Sequence, residues 1–353
     1  MAQRFDNLTG LLDHGFDTVI DVRSPSEFAE DHVPGAINLP VLNDAERAEI
    51  GTIYKQVSPF EARKAGAALV FRNASRHIET ELSGKPGGWR PLVYCWRGGQ
   101  RSGAFGWILS QIGWRAEVIE GGYRHYRRLV NAMLYDVPLP HRLIALDGYT
   151  GTAKTKLLHL AQERGVQVLD LEGLAQHRGS LLGAMAEAQP SQKRFESGIA
   201  QALCTFDPAQ PVLVEAESSK IGTRILPPSL WDALKEAPRI QVTAPLQARC
   251  QYLRDAYDDI LSDRPRLREK LNALRVHRGH ATVDHWNSLI DTGDKLALTR
   301  ALMVDHYDPA YDKGRRALGH TPVAELELSA LGSDALEAAA DRLVTLVDRD
   351  ANS

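Results

Sequence analysis

Two short segments of this chain combine residue types that can do chemistry. The first, Cys95-Trp-Arg-Gly-Gly-Gln-Arg101-Ser102, sets one thiol among two arginines and two glycines. The apolar run Leu92-Val-Tyr94 before it reads as a buried strand, and a helical pattern resumes near Gly103 with Phe105, Ile108, Leu109 and Ile112 on one face. Cys95 is therefore expected on a strand-to-helix turn, where converging backbone N–H groups favour an anion and lower a thiol pKa. With Arg97 and Arg101 beside it, this is the setting of a thiolate nucleophile facing an oxyanion-bearing substrate. Cys204 and Cys250 have no such neighbours and read as core or helix-face residues.

In the second segment, the strand candidate Leu143-Ile-Ala-Leu146 leads into Asp147-Gly148-Tyr-Thr-Gly151-Thr-Ala153-Lys154-Thr155. A helix beginning with Leu157, Leu158 and Ala161 follows, and Gly165 can cap it. The order and spacing are those of a phosphate-cradling P-loop, with Ala153 where the pattern has glycine. Backbone amides across Gly148, Thr150, Gly151 and Thr152 would surround phosphates, Lys154 would neutralise them, and the Thr155 hydroxyl could meet a magnesium ion. An alanine at 153 crowds the phosphate or forces a costly backbone angle, which argues for phosphate binding rather than nucleotide hydrolysis. At the next strand exit, Val212-Leu-Val-Glu215-Ala-Glu217, the two glutamates share one face, where P-loop proteins keep acids near a metal. A solvated strand end accounts for them equally well.

The elements that must position these segments read twice as apolar strands alternating with amphipathic helices, the pattern of parallel α/β sheets. Strand candidates are 18–21, 36–39, 92–94 and 116–119 in the first block and 143–146, 166–169, 212–214 and 240–243 in the second. Asp136-Val-Pro-Leu-Pro140 predicts a short stiff linker, which divides the chain into domains 1–138 and 139–353, the latter with a helical C-terminal part. With 353 residues and 43% hydrophobic content the chain can build a core in each. Three dispersed cysteines exclude a disulfide framework or a closed zinc site, and a net charge of −3 excludes nucleic-acid binding by composition alone. No apolar run suits a membrane helix and Met1 to Leu12 is not a signal peptide, so the cytoplasm is the expected address.

Further segments decide between reactions. Cys95 to Arg101 is C-x5-R, the phosphate cradle of cysteine phosphatases. However, Val19-Ile-Asp-Val-Arg-Ser-Pro-Ser-Glu27-Phe, His32-Val-Pro-Gly-Ala-Ile-Asn38 and Ile119-Glu-Gly-Gly122 resemble the signatures of rhodanese domains. Rhodaneses carry sulfur or selenium on the loop cysteine; some phosphatases share their fold, so a phosphatase or sulfurtransferase fused to a phosphate-binding module stays open at this point. With the P-loop in second place, the chain resembles over nearly its whole length the tRNA 2-selenouridine synthases, which join a rhodanese-like domain to a P-loop NTPase-like α/β domain. The resemblance is most specific in Asp31–Asn43, Ile50–Lys55, Tyr94–Ser102, His177-Arg-Gly-Ser180, Pro190-Ser-Gln-Lys193 and His306-Tyr-Asp-Pro309. The family pattern includes C-x5-R; its usual P-loop glycine is missing at Ala153.

The resemblance implies replacement of sulfur by selenium in wobble 2-thiouridine of tRNA, through an S-geranyl intermediate made from geranyl diphosphate, with selenophosphate as selenium donor and no tightly bound cofactor beyond a magnesium ion at the P-loop. In that reading Cys95 takes selenium as a transient sulfur–selenium adduct, Lys154 and Thr155 bind the diphosphate, and Glu215, Glu217, His177 and Arg178 support the site. Such an enzyme needs local basic patches for tRNA phosphates. Arg264 to His280 reads as an amphipathic helix with Leu267, Leu271 and Leu274 inward and Arg266, Arg268, Arg275 and Arg278 outward. Tyr123, Arg124, Arg127 and Arg128 form a second basic segment, whose ring could stack on an unpaired base.

Overall fold

Apolar runs too short for helices become buried parallel strands in the computed structural model, which describes residues 2–216, 218–318 and 321–351. They build two units, Met1–Pro138 with Pro190–Thr205, and Leu139–Gln189 with Phe206–Ser353. In the first unit, β1 (Ala2–Gln3), β2 (Thr18–Asp21), β3 (Ile37–Asn38), β4 (Pro91–Tyr94) and β5 (Glu117–Ile119) form a parallel sheet in the order β1-β5-β4-β2-β3. β4 is central and buried throughout. Its register with β2, Asp21 opposite Tyr94, makes Arg23 and Cys95 emerge at the same carboxyl edge of the sheet, where ligands of open α/β sheets bind. Beneath that edge Val22, Val41, Val70, Val93, Phe105 and Leu109 pack in one core, the burial of Phe105 alone being worth about 1.5–3 kcal/mol.

Helix Gln192–Thr205 follows the P-loop in sequence yet belongs to the first unit. It packs against helices Leu8–Leu12 and Gly122–Asn131, with Phe195, Ile199, Ala200 and Leu203 buried. Ser191 and Lys193 fasten its start to the carbonyl and carboxylate of Glu30. A single cut at residue 138 does not capture this return of the chain.

The second unit has β6 (Leu143–Gly148), β7 (Gln167–Leu169), β8 (Val212–Glu215), a short antiparallel hairpin of β9 (Lys220–Ile221) and β10 (Arg224–Ile225), then β11 (Arg239–Thr243) and β12 (Ala324–Glu327). Its parallel sheet runs β12-β11-β6-β8-β7. β6 thus lies where the chain's later strands pass to either side, and the loop after it opens into the crevice this topology leaves. Between β11 and β12 a group of helices encloses its own core of Leu267, Leu271, Val283, Trp286, Leu298 and Leu302. The single amphipathic helix expected over 264–280 is instead Arg264–Asn272 and Arg275–Arg278, with a new helix starting at His280. Where the first ends, the Asn272 side-chain oxygen accepts from Arg275 and Asn287; the leucine spacing still buries Leu267, Leu271 and Leu274. Among the described residues no helix is long and apolar enough to cross a membrane.

Candidate active site

Cys95 leaves β4 directly into a loop that ends at Gly99, the cap of helix Gln100–Ile112. The loop is held against a second glycine turn: Tyr123 and Arg124 donate backbone N–H groups to the carbonyls of Cys95 and Trp96 at 2.8 and 2.9 Å. Only glycine fits at 122, where φ is +57° and a Cβ would stand 2.3 Å from the Cys95 carbonyl. This close approach explains the Gly121-Gly122 pair far from the cysteine in sequence. Cys95 is a free thiol, 3% exposed. Burial resists its ionisation, but the Ser102 hydroxyl at 3.2 Å, the backbone N–H groups of Ser102 and Arg97, and the charge of Arg101 outweigh it and hold the thiol pKa below its ordinary value. Arg101 is positioned by Glu27, which also pairs with Arg47. Arg97 is exposed at the loop tip. Ser102 and Glu27 lay within quoted motifs, yet nothing in the spacing marked them as the groups that tune the thiol and orient the arginine.

The basic segment after the loop corrects an expectation. Tyr123 is 1% exposed, so its ring cannot stack on a base. Its hydroxyl donates to Asp31 at 2.8 Å, and the fully buried Arg23, paired with Asp21, lies 3.8 Å over its ring. Arg127 is likewise turned inward, onto Asp31, Glu196 and the Ser197 hydroxyl. Both residues hold the return helix in place. Arg124 and Arg128 remain exposed.

In the second unit the phosphate loop runs from Gly148 to helix Lys154–Glu163. Gly148 cannot carry a Cβ, which would meet the Val242 carbonyl at 2.6 Å. Ala153 does occupy the left-handed region, at φ +60° and ψ 29°, which costs an alanine roughly 1–2 kcal/mol. Its methyl packs in the core beside Leu157 and Leu158. The loop geometry survives the substitution. Lys154 Nζ donates to the Gly148 carbonyl at 2.7 Å, Thr155 Oγ1 to Glu172 at 2.9 Å, and the buried Thr152 hydroxyl to the Tyr149 carbonyl at 2.8 Å. Arg249, paired with Asp308 at 2.8 Å and 4.9 Å from the Tyr149 ring centre, reaches the Thr150 carbonyl and clamps the loop from behind. Asp308 belongs to the His306-Tyr-Asp-Pro309 segment, which gives that motif a physical role.

A cleft of about 630 Å3 opens over this loop. Gly148, Thr150, Gly151, Lys154 and Thr155 line it together with the apolar or aromatic side chains of Leu181, Met185, Leu253, Tyr257 and Tyr307. Glu215 lines it too, 1% exposed; burial and the neighbouring Asp170 raise its pKa well above the usual carboxylate range, while, against burial, the His159 ring and the Gly173 N–H lower that of Asp170. Glu217 lies outside the described residues. Arg178 faces the cleft, held by Asp259 and by the ring of Tyr257. His177 does not: it is buried against Gly222 of the β9-β10 turn. Glu172, the partner of Thr155, had no signal in the sequence beyond following a strand. Of the outer basic stretch, Arg268 pairs with Asp291, Arg275 with Asp284, and Arg278 with His306. Arg266 is exposed. Two of the four arginines expected on the basic face, Arg268 and Arg275, are thus neutralised by carboxylates, while Arg266 and Arg278 keep their charge uncompensated by these pairs.

Family models for a rhodanese-like domain and for the tRNA 2-selenouridine synthase AAA domain match residues 5–129 and 141–272. The tRNA 2-selenouridine synthase of Alcanivorax borkumensis is 34% identical over 330 residues, covering 83% of this chain and 88% of that protein. The chain belongs to the tRNA 2-selenouridine synthase family. Similar tRNA 2-selenouridine synthases occur in Nitrosomonas europaea, 37% identical over 71% of this chain and 66% of that protein, and in Chromohalobacter salexigens, 32% identical over 83% and 86%. The two matched regions of this tRNA 2-selenouridine synthase family member contain the cysteine loop and the phosphate loop respectively.

Proposed function

We propose that this chain replaces sulfur by selenium in wobble 2-thiouridine of tRNA in the cytoplasm, through an S-geranyl intermediate formed from geranyl diphosphate, with selenophosphate as selenium donor. The observation that carries this reading is the make-up of the second unit's cleft. An allylic diphosphate is anionic at one end and apolar at the other; the cleft offers Lys154 and the loop amides beside walls of Leu181, Met185, Leu253 and Tyr307. A narrow apolar chamber of about 30 Å3, lined by residues including Leu182, Leu261, Leu302 and Met303, adjoins it at Thr150 and Leu253. In the first step the thione sulfur attacks the allylic carbon, the carbon–oxygen bond to diphosphate breaks, and the base loses its N3 proton. Charge growing on the diphosphate is met by Lys154 and the fixed loop dipoles, which act on the transition state more than on the ground state. Alkylation turns the sulfur into a leaving group. In the second step the selenium of the donor bonds to C2 of the base as the bond from C2 to the geranylated sulfur breaks and geranyl thiol departs with a proton; water cleaves the phosphorus–selenium bond, releasing phosphate, and Cys95, its thiol pKa lowered in the loop, serves this selenium-transfer step. Thr155 and Glu172 present the hard oxygen atoms a magnesium ion takes beside a diphosphate, whose charge the ion would partly neutralise.

The test is mass spectrometry of tRNA nucleosides after incubation with 2-thiouridine tRNA, geranyl diphosphate and selenophosphate, each omitted in turn. Lys154→Ala is expected to stop the reaction before geranylation, and Cys95→Ser to leave the S-geranyl base. A Cys95→Ser variant with full selenation would overturn the assignment of the thiol.

A further inference from the structure

A cleft of about 1240 Å3 in the first unit has no part in the steps above. It lies between helices Asp44–Gln56 and Pro59–Thr80 and the start of helix Gln100–Ile112. Buried Leu42 and Val70, with half-buried Ile50, form its floor. The rings of Tyr54 and Phe71 stand at its rim, 58% and 45% exposed, where they are free to meet a ligand. Four cations also line it. Arg47 and Arg101 share Glu27, while Lys55 and Arg63 are exposed and have no carboxylate partner among the described residues. One wall is Gln100 and Arg101, the first residues of the helix that follows the cysteine loop, and the charge of Arg101 also acts on the Cys95 thiol.

A trough with an apolar floor, aromatic rims and unpaired cations suits a ligand that is both anionic and apolar. We propose that it binds the S-alkylated wobble nucleotide, with the isoprenoid chain laid on Leu42, Ile50, Tyr54, Val70 and Phe71 and the flanking RNA phosphates near Lys55 and Arg63. This assignment rests on the two-step reading above and adds a second place for the chain, distinct from the one that receives the diphosphate. The exchange breaks a carbon–sulfur bond whose sulfur carries the chain. Seating that chain beside Arg101 fixes the direction in which the thiol departs and leaves the opposite face of the base open to attack. Simple RNA binding would use the cations and leave the floor and rings without a role.

The experiment is single-turnover exchange with selenophosphate on tRNA carrying either S-geranyl-2-thiouridine or S-methyl-2-thiouridine, using the full chain and its Tyr54→Ala/Phe71→Ala variant. Both side chains are exposed, so the variant is expected to fold, which its circular dichroism checks. Wild type is expected to favour the geranyl substrate in kcat/KM by at least about tenfold, and the variant to lose most of that preference. Lys55→Glu/Arg63→Glu is expected to raise KM for both tRNAs with altered salt dependence. Equal use of both tRNAs by wild type, or a preference unchanged in the variant, overturns the proposal. A variant that keeps the preference but changes oligomeric state in light scattering gives the trough to a second copy of the chain and also overturns it. Failure of wild type on either tRNA removes the two-step reading itself, a result distinct from loss of chain discrimination.

Discussion

Ala153→Gly would change the one residue at which the phosphate loop departs from its pattern. At φ +60° the alanine bears a left-handed penalty of roughly 1–2 kcal/mol, which glycine abolishes. Two effects oppose this gain. The methyl is buried among Leu157 and Leu158, and losing it costs about 0.8 kcal/mol. Glycine also gives the unfolded chain more freedom, worth about 0.4–1 kcal/mol. The contributions nearly cancel, so the stability of the second unit should move by less than about 1 kcal/mol, a shift of a few degrees at most for a unit of this size. Because the methyl points into the core, diphosphate affinity should change less than about threefold. Calorimetry identifies the relevant transition as the one that inorganic diphosphate moves upward, and titration of the same variant gives the affinity. A gain above about 2 kcal/mol, or tenfold tighter diphosphate binding, would refute the reasoning by showing that the methyl strains the loop or crowds the phosphate.

Three further outcomes follow from the same geometry. Cys95 has a lowered pKa while burial raises those of Cys204 and Cys250, so iodoacetamide near neutral pH should label Cys95 first; Ser102→Ala should move its alkylation profile to higher pH, and an unmoved profile would remove Ser102 from the site. For Glu215 the folded pKa lies above the unfolded one, so its favourable contribution is complete below about pH 4.3 and is lost as pH rises towards the folded value. Glu215→Gln cannot ionise, so its stability relative to wild type should improve as pH rises above about 4.3; a difference in denaturant melts that stays constant with pH would show that the folded carboxyl is not shifted upward. Arg127→Glu should destabilise the first unit by about 3–5 kcal/mol because it leaves Asp31 and Glu196 buried without their cation. Arg128→Glu should stay within about 0.5 kcal/mol and instead weaken tRNA binding in a salt-dependent manner; the reverse ranking in thermal melts would contradict the inward placement of Arg127.

The strands that carry the chemistry were legible because each is a local pattern: Leu92–Tyr94 before Cys95 and Leu143–Leu146 before Asp147-Gly148 are apolar runs followed by glycine-containing loops. The glycine at 122 could be read as a signature but not explained, since the carbonyl it must approach belongs to Cys95, distant in sequence. Tyr123 and Arg127 looked like surface residues for the same reason. Their partners Asp31 and Glu196 are brought to them only by tertiary structure, and an amphipathic basic helix has the same sequence whether its cations meet carboxylates or phosphates. Arg268 and Arg275 repeat the point, each neutralised by an aspartate on helix His280–Thr292. The edge strands β1 and β12 escaped notice because Ala2–Gln3 is too short to show a period and Ala324–Glu327 alternates with charged residues.

The return of Gln192–Thr205 to the first unit also bears on how the chain is made. A ribosome delivers the cysteine loop early, but Glu196 and Ser197, which satisfy Arg127 and Asp31, emerge only after the phosphate loop and β7 have been synthesised. Until then the nascent first unit carries a buried aspartate and arginine without their full set of partners, and an uncovered surface on helix Gly122–Asn131. Vectorial synthesis therefore completes the first unit only after β6, the phosphate loop and β7 of the second have been made, with β8, β11 and β12 still to follow.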